Sequence, residues 1–118
     1  MTDYEVSVRA EIKVAVEHKA TDEDACEEAY LATDRIFDNY SNIKLIDTTD
    51  VEVKKGKHFD FVTIEDDLRV FVSEHDYESA MSEAEAVVKE VSLPIGVNVY
   101  EAEAYDYDYD YRYDGLAL

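Results

Sequence analysis

The chain is poor in the features that anchor or cross-link proteins. It has one cysteine in 118 residues, Cys26, so it forms no internal disulfide, which suits a reducing compartment. No apolar run reaches the length of about 18 residues that marks a spanning helix. The opening stretch, MTDYEVSVRA, has no basic segment leading into an apolar one, so no secretory signal is expected. The expected location is therefore the cytoplasm, or a host's cytoplasm if the chain is viral. Gly/Ser/Pro linkers and repeats of solenoid length are absent, and the length fits one domain. There is no HExxH, no CxxC, no phosphate-cradling glycine loop, and no Ser/His/Asp set in a recognisable context. No catalytic residue, no cofactor and no metal site is expected.

Cations are the other scarcity. Eleven Lys and Arg stand against thirty Asp and Glu, for a formal charge of −19. Repulsion on that scale opposes compaction and is only partly screened by salt. It disfavours direct contact with nucleic acid and with anionic membrane, and it attracts basic surfaces. Yet 47 % of the residues are hydrophobic, too many for a disordered chain.

That apolar content is ordered by period. In YEVSVRAEIKVAVEHK, Tyr4, Val6, Val8, Ala10, Ile12, Val14 and Val16 alternate with polar residues, which predicts a long half-buried strand. TDEDACEEAYLATDRIFDNY changes to helical spacing, with Thr21 as N-cap and Ala25, Ala29, Ala32, Ile36 and Tyr40 as the inner stripe. From Thr21 to Tyr40 seven carboxylates face one arginine. Residues 43 to 73 read as strands, with a hairpin about Lys54–Lys57 in which Gly56 supplies a special turn conformation. The strand at Phe59, Phe61 and Thr63 is expected to be buried on both faces. EDDLRVFVS either continues it after a bulge or turn at Asp66–Asp67 or forms a further short strand. A second helix follows, with Ser73 as candidate cap, Ala80, Ala84, Val87 and Val91 as its stripe, and Pro94 preventing continuation. It carries six carboxylates against Lys89.

Strand, helix, strand, strand, helix, strand is the order of an α+β, ferredoxin-like βαββαβ sandwich, with two helices on one face of an antiparallel sheet. Residues 1–104 make that domain. Residues 105–118 are either its C-terminal strand or an extension of it.

The stretch YDYDYDYRYD, residues 105–114, raises a separate question. Along the last segment the apolar phase slips near 99/100 and again near 104/105, so a continuous strand needs a bulge at each place. Otherwise the chain leaves the sheet near Ala104. A disordered acidic tail would be poor in aromatics. An EF-hand loop would need glycine where Tyr111 stands and a bidentate glutamate where Ala117 stands. The favoured reading is a strand with tyrosines on one face and a row of aspartates on the other.

Among chemical candidates, His58 and Asp60 would share a strand face, and Glu74, His75 and Asp76 gather at a helix start. Both read as solvent-facing polar residues. Cys26 lies beside acidic neighbours, which raise its pKa and make it a poor nucleophile. Lys54, Lys55 and Lys57, the one basic cluster, are expected to relieve local repulsion or to pair with an acidic face rather than to bind nucleic acid.

A short, single-domain chain rich in Asp, Glu and Tyr and without catalytic motifs resembles, in composition, the small acidic anti-restriction and anti-CRISPR inhibitors of bacteriophages. The resemblance implies an inhibitor that mimics DNA and occupies the basic groove of a nucleic-acid-binding protein. The residues expected to meet that partner are Asp106, Asp108, Asp110 and Asp114, with Glu101 and Glu103, then Asp24, Glu27, Glu28, Asp34 and Asp38. Two alternatives stand beside it. One is a salt-adapted domain whose acidity serves solubility, although lysine outnumbers arginine seven to four. The other is an interaction module that forms a homodimer through the tyrosine face.

Overall fold

A computed structural model describes residues 1–112. Six elements follow one another: β1 (Thr2–Glu17), α1 (Asp22–Asp38), β2 (Ile43–Lys55), β3 (Phe59–Glu74), α2 (Tyr77–Lys89) and β4 (Val97–Tyr109). The four strands form one antiparallel sheet in the order β2-β3-β1-β4. The protein is thus α+β, and none of its described helices is long and apolar enough to cross a membrane.

The alternation in β1 places Val6, Val8, Ala10, Ile12, Val14 and Val16 in the core. The same face of β3 contributes Val62, Ile64, Leu68 and Val70, and the helices close over it with Ala25, Ala29, Ile36, Phe37, Ala80, Ala84 and Val88. Alanine at the contact lets a helix axis approach the sheet closely. No described element lies upon the opposite face of the sheet.

Helix starts follow the chemistry of exposed amides. The Thr21 side chain accepts from the Asp24 amide at 3.2 Å, as expected. The cap of α2 is Asp76 and not Ser73, its carboxylate accepting from the Ser79 amide at 2.8 Å. Ser73 lies in β3 and its hydroxyl donates to Asp3. The inner stripes also shift slightly: Thr33 and Phe37 are buried while Ala32 and Tyr40 are half-buried, and in α2 Val88 replaces Val87 in the core.

Three strand expectations are corrected. β3 runs unbroken from Phe59 to Glu74, in continuous register with β1, so there is neither bulge nor turn at Asp66–Asp67. Its outer face is not buried at its start: Phe59 and Phe61 are about half exposed, because no described element covers that side. Gly56 has no positive φ. Its role is close approach, since a Cβ there would lie 2.2 Å from the Phe59 carbonyl oxygen.

β4 is continuous and carries a register shift at each place where its pattern slips. Val99 pairs with Ile12 and Glu101 with Glu11, leaving Tyr100 over. Ala104 pairs with Val8 and Asp106 with Ser7, leaving Tyr105 over. Each extra residue restores alternate side chains to the core, which is what a bulge does.

Candidate partner-binding surface

The two faces of the molecule differ in charge. On α1, Asp24, Glu27, Glu28, Asp34 and Asp38 are all exposed on the side away from the sheet. Carboxylates at i and i+4, such as Asp24/Glu28 and Asp34/Asp38, lie about 5–6 Å apart at Cβ and repel, costing a few tenths of a kcal/mol per pair. The first-turn acids Asp22, Glu23 and Asp24 are offset by the helix dipole. Asp34 and Asp38, near the C-terminal end, are opposed by it. Helix stability therefore does not account for them.

Few cations neutralise this layer. Lys19 binds Glu28 at 2.7 Å, and Lys55 reaches Asp22 at 3.2 Å. Glu28 holds the Lys19 ammonium above its ordinary pKa. Beside α1 a groove of about 690 Å³ separates the helix from β2. Asp22, Glu23, Glu27, Asp50 and Glu52 line it, with Cys26 and Tyr30. Tyr30 donates to Asp50 at 2.6 Å, which pushes the phenol up to about 12 and lowers the carboxyl. Cys26 is buried, and burial first, then Asp50 and Asp22, raises its thiol. This groove escapes a reading by segments, since β2 approaches α1 only in three dimensions.

The C-terminal acids lie elsewhere. Glu101, Glu103, Asp106 and Asp108 are exposed on β4, an edge strand. By register Glu101, Glu103 and Asp106 share the uncovered face with Glu11, Arg9 and Ser7. They are thus separated from the α1 acids by the thickness of the domain, and the structure does not bring the two sets together. Asp106 accepts from the Tyr107 amide and Asp108 from the Tyr109 amide, both at 2.8 Å. These carboxylates blunt a sheet edge against strand addition. Asp110 is mostly covered: Arg112 binds it through both oxygens and lowers its pKa. Asp114 lies outside the described residues.

The tyrosines do not share one face. The bulge turns Tyr105 to the uncovered side, where its hydroxyl donates to Asp67 at 2.6 Å and the Arg9 guanidinium lies 4.1 Å from its ring centroid. Tyr107 and Tyr109 face the helix side. Tyr107 stacks on Tyr77 of α2 at 4.7 Å, and Tyr4 contacts both Tyr107 and Tyr109. These rings extend the core past the start of α2.

Two buried carboxylates were not apparent in the sequence. Asp60 is no solvent-facing partner of His58. It points to the core side and binds His18 Nδ1 at 2.8 Å, the Lys19 amide at 3.0 Å and Lys55 Nζ at 3.0 Å. The Lys19 amide bond, then Lys55 and His18, hold its pKa down at about 2 against the effect of burial. Lys55 is therefore a structural ion-pair partner as well as relief from repulsion. Asp66 lies beneath α1, accepts from Thr48 Oγ1 at 2.8 Å, and leaves Oδ2 without a hydrogen-bond partner among the described residues. Burial pushes it up to about 6. Among the described residues no group of three or more His, Cys, Asp and Glu is arranged to hold a metal ion. The chain matches no protein-family model, no curated protein and no solved structure.

Proposed function

We propose that the protein is an acidic decoy whose helix layer binds the basic, nucleic-acid-binding surface of another protein. The observation that carries this reading is the partition of charge between the layers. α1 and α2 hold ten carboxylates and two cations, five to one, whereas the strands hold sixteen carboxylates, two of them buried, and six cations. A surface so nearly pure in sign repels its own kind and steers a basic partner by long-range attraction. Its carboxylates are fixed by a rigid scaffold, as phosphates are by a duplex, and the groove beside α1 gives a lysine or arginine side chain a place to enter. Asp24, Glu27, Asp34 and Asp38 are the principal contacts. Glu101, Glu103, Asp106 and Asp108 contribute to the field from the opposite side.

We also read the fold as a ferredoxin-like sandwich, which the βαββαβ order and antiparallel pairing support. That architecture serves many functions and adds nothing to this assignment.

The test is capture of partners from a cell extract at low and high salt, with DNA as competitor. A basic nucleic-acid-binding protein should be retained at low salt and released by salt and by DNA. The triple substitution Glu27→Gln, Asp34→Asn, Asp38→Asn should weaken retention at least tenfold, and Asp106→Asn with Asp108→Asn should weaken it less. Retention indifferent to salt, DNA and the α1 substitutions refutes the reading. Unfolding in dilute buffer would favour a salt-adapted domain instead.

A further inference from the structure

Exposed tyrosines meet different surroundings on the two sides of the sheet. On the uncovered side they are matched with cations of the chain itself. The Arg9 guanidinium lies 4.1 Å from the centroid of Tyr105, and the Lys13 ammonium 4.7 Å from that of Tyr100. On the helix side, at the start of α2, Tyr77, Tyr107 and Tyr109 carry no cation over their rings among the described residues.

This second group is pinned by one buried ring. Tyr4 meets the edge of Tyr107 at 6.0 Å and stacks on Tyr109 at 5.7 Å, and Tyr107 stacks on Tyr77 at 4.7 Å. A ring has two faces. Tyr77 has one against Tyr107 and Tyr109 has one against Tyr4, while the two residues remain 43 % and 48 % exposed. Packing alone does not call for their hydroxyls. Those of Tyr30, Tyr40 and Tyr105 bond within the protein, whereas those of Tyr107 and Tyr109 form no hydrogen bond among the described residues. Tyrosine suits a surface buried at one end and available at the other.

Carboxylates frame the rings. Glu78 first, and Asp76 to a lesser degree, raise the pKa of the Tyr77 phenol. Neither acid is in an ion pair with Lys or Arg among the described residues, and Lys89, the one cation of α2, stands at the far end of that helix. An open ring face beside an unpaired carboxylate matches a guanidinium. That group is flat and weakly hydrated, so it stacks on a ring while its N–H groups, in the plane, donate to carboxylate oxygens. An ammonium is more strongly hydrated and has no plane to stack.

We propose that the Tyr77–Tyr107–Tyr109 cluster is where arginine side chains of the basic partner dock, on the same side of the sheet as the α1 carboxylates. The proposal rests on the decoy reading for the partner's charge, and adds which cation is preferred and where it is held. The α1 acids attract lysine and arginine alike at long range. The tyrosines discriminate between them at contact, as aromatic anchors do in protein interfaces.

The test compares two peptides of equal charge, one of about eight arginines and one of about eight lysines, binding to the full chain by calorimetry at several salt concentrations. Salt should weaken both, and arginine should be favoured about threefold or more throughout, the size expected of two exposed ring contacts. Tyr77→Leu with Tyr109→Leu keeps apolar packing against Tyr107 and Tyr4, and should abolish the preference while leaving lysine binding nearly unchanged. Tyr77→Phe with Tyr109→Phe keeps the rings and should retain it. Tyr100→Leu, on the opposite side, should leave it intact. The ring protons of Tyr77 and Tyr109, followed by NMR in the parent chain, should shift as the arginine peptide is added, a readout that needs no variant. Equal affinity for the two peptides, a preference that survives the leucine pair or is lost with Phe or with Tyr100→Leu, or ring protons that do not move, overturns the proposal. Partner capture indifferent to salt and DNA refutes the decoy reading whatever the peptides show, so the two ideas fail separately.

Discussion

Asp66 offers the sharpest test of the packing described above. It stands in the middle of β3, beneath α1, with one carboxylate oxygen held by Thr48 and the other without a hydrogen-bond partner among the described residues. In the folded protein its pKa is pushed up to about 6, against 3.8 for an ordinary aspartate. A raised carboxyl pKa means that folding favours the protonated form. The cost of ionised Asp66 is therefore absent below about pH 4, grows between pH 4 and 6, and is complete above 6. At about 1.4 kcal/mol per unit, the shift amounts to about 3 kcal/mol at neutral pH. Asp66→Asn removes the charge and keeps an oxygen for Thr48. Its amide nitrogen can donate to Thr33 Oγ1, whose own proton goes to the Tyr30 carbonyl at 3.2 Å. The variant should be more stable than the parent by about 2–3 kcal/mol at pH 7.5 and nearly equal to it at pH 4. In a domain of this size that is a rise in melting temperature of about 10 °C. Thermal and urea unfolding of both proteins from pH 4 to 8 measure it. The repulsion among the remaining carboxylates changes with pH in both proteins alike, so the difference isolates Asp66. A difference that does not vary with pH, or a variant less stable at pH 7.5, refutes the reasoning.

Two further substitutions probe the hairpin end of the sheet. Asp60 has a depressed pKa, so the stability it confers is present above its unfolded value of 3.8 and lost as pH falls toward about 2. Lys55→Met removes one of the groups holding it down, and the acid-unfolding midpoint followed by circular dichroism should move to higher pH; an unchanged midpoint would show that Lys55 does not stabilise the carboxylate. Gly56→Ala would set a Cβ 2.2 Å from the Phe59 carbonyl oxygen, so the connection must rebuild at a cost of about 2 kcal/mol or more. Urea unfolding reads that loss, and parental stability in the variant would contradict the close approach.

Much of the architecture is legible in the chain because it depends on local period. The alternation from Tyr4 to Val16 specifies a strand and its inner face whatever lies beside it. The capping of α1 by Thr21 is settled within four residues. Even the bulges in β4 are readable, since a change of apolar phase within a strand that keeps one face on a core requires an extra residue. The α2 cap was less legible because Ser73, Glu74 and Asp76 all offer acceptors near the helix start. The choice fell to Asp76 because β3 continues to Glu74 alongside β1.

The sequence by itself determined that the chain is acidic, folded, and built of two alanine-striped helices and long alternating strands. Only the tertiary structure decided which charges meet. Asp60 and Asp66 look like surface acids in their own segments. Their burial follows from the pairing of β3 between β1 and β2 and from the placement of α1 above it. The same pairing sends the β4 aspartates and the α1 carboxylates to opposite sides of the sheet. Period is a property of neighbours in the chain, whereas burial and ion pairing are properties of neighbours in space.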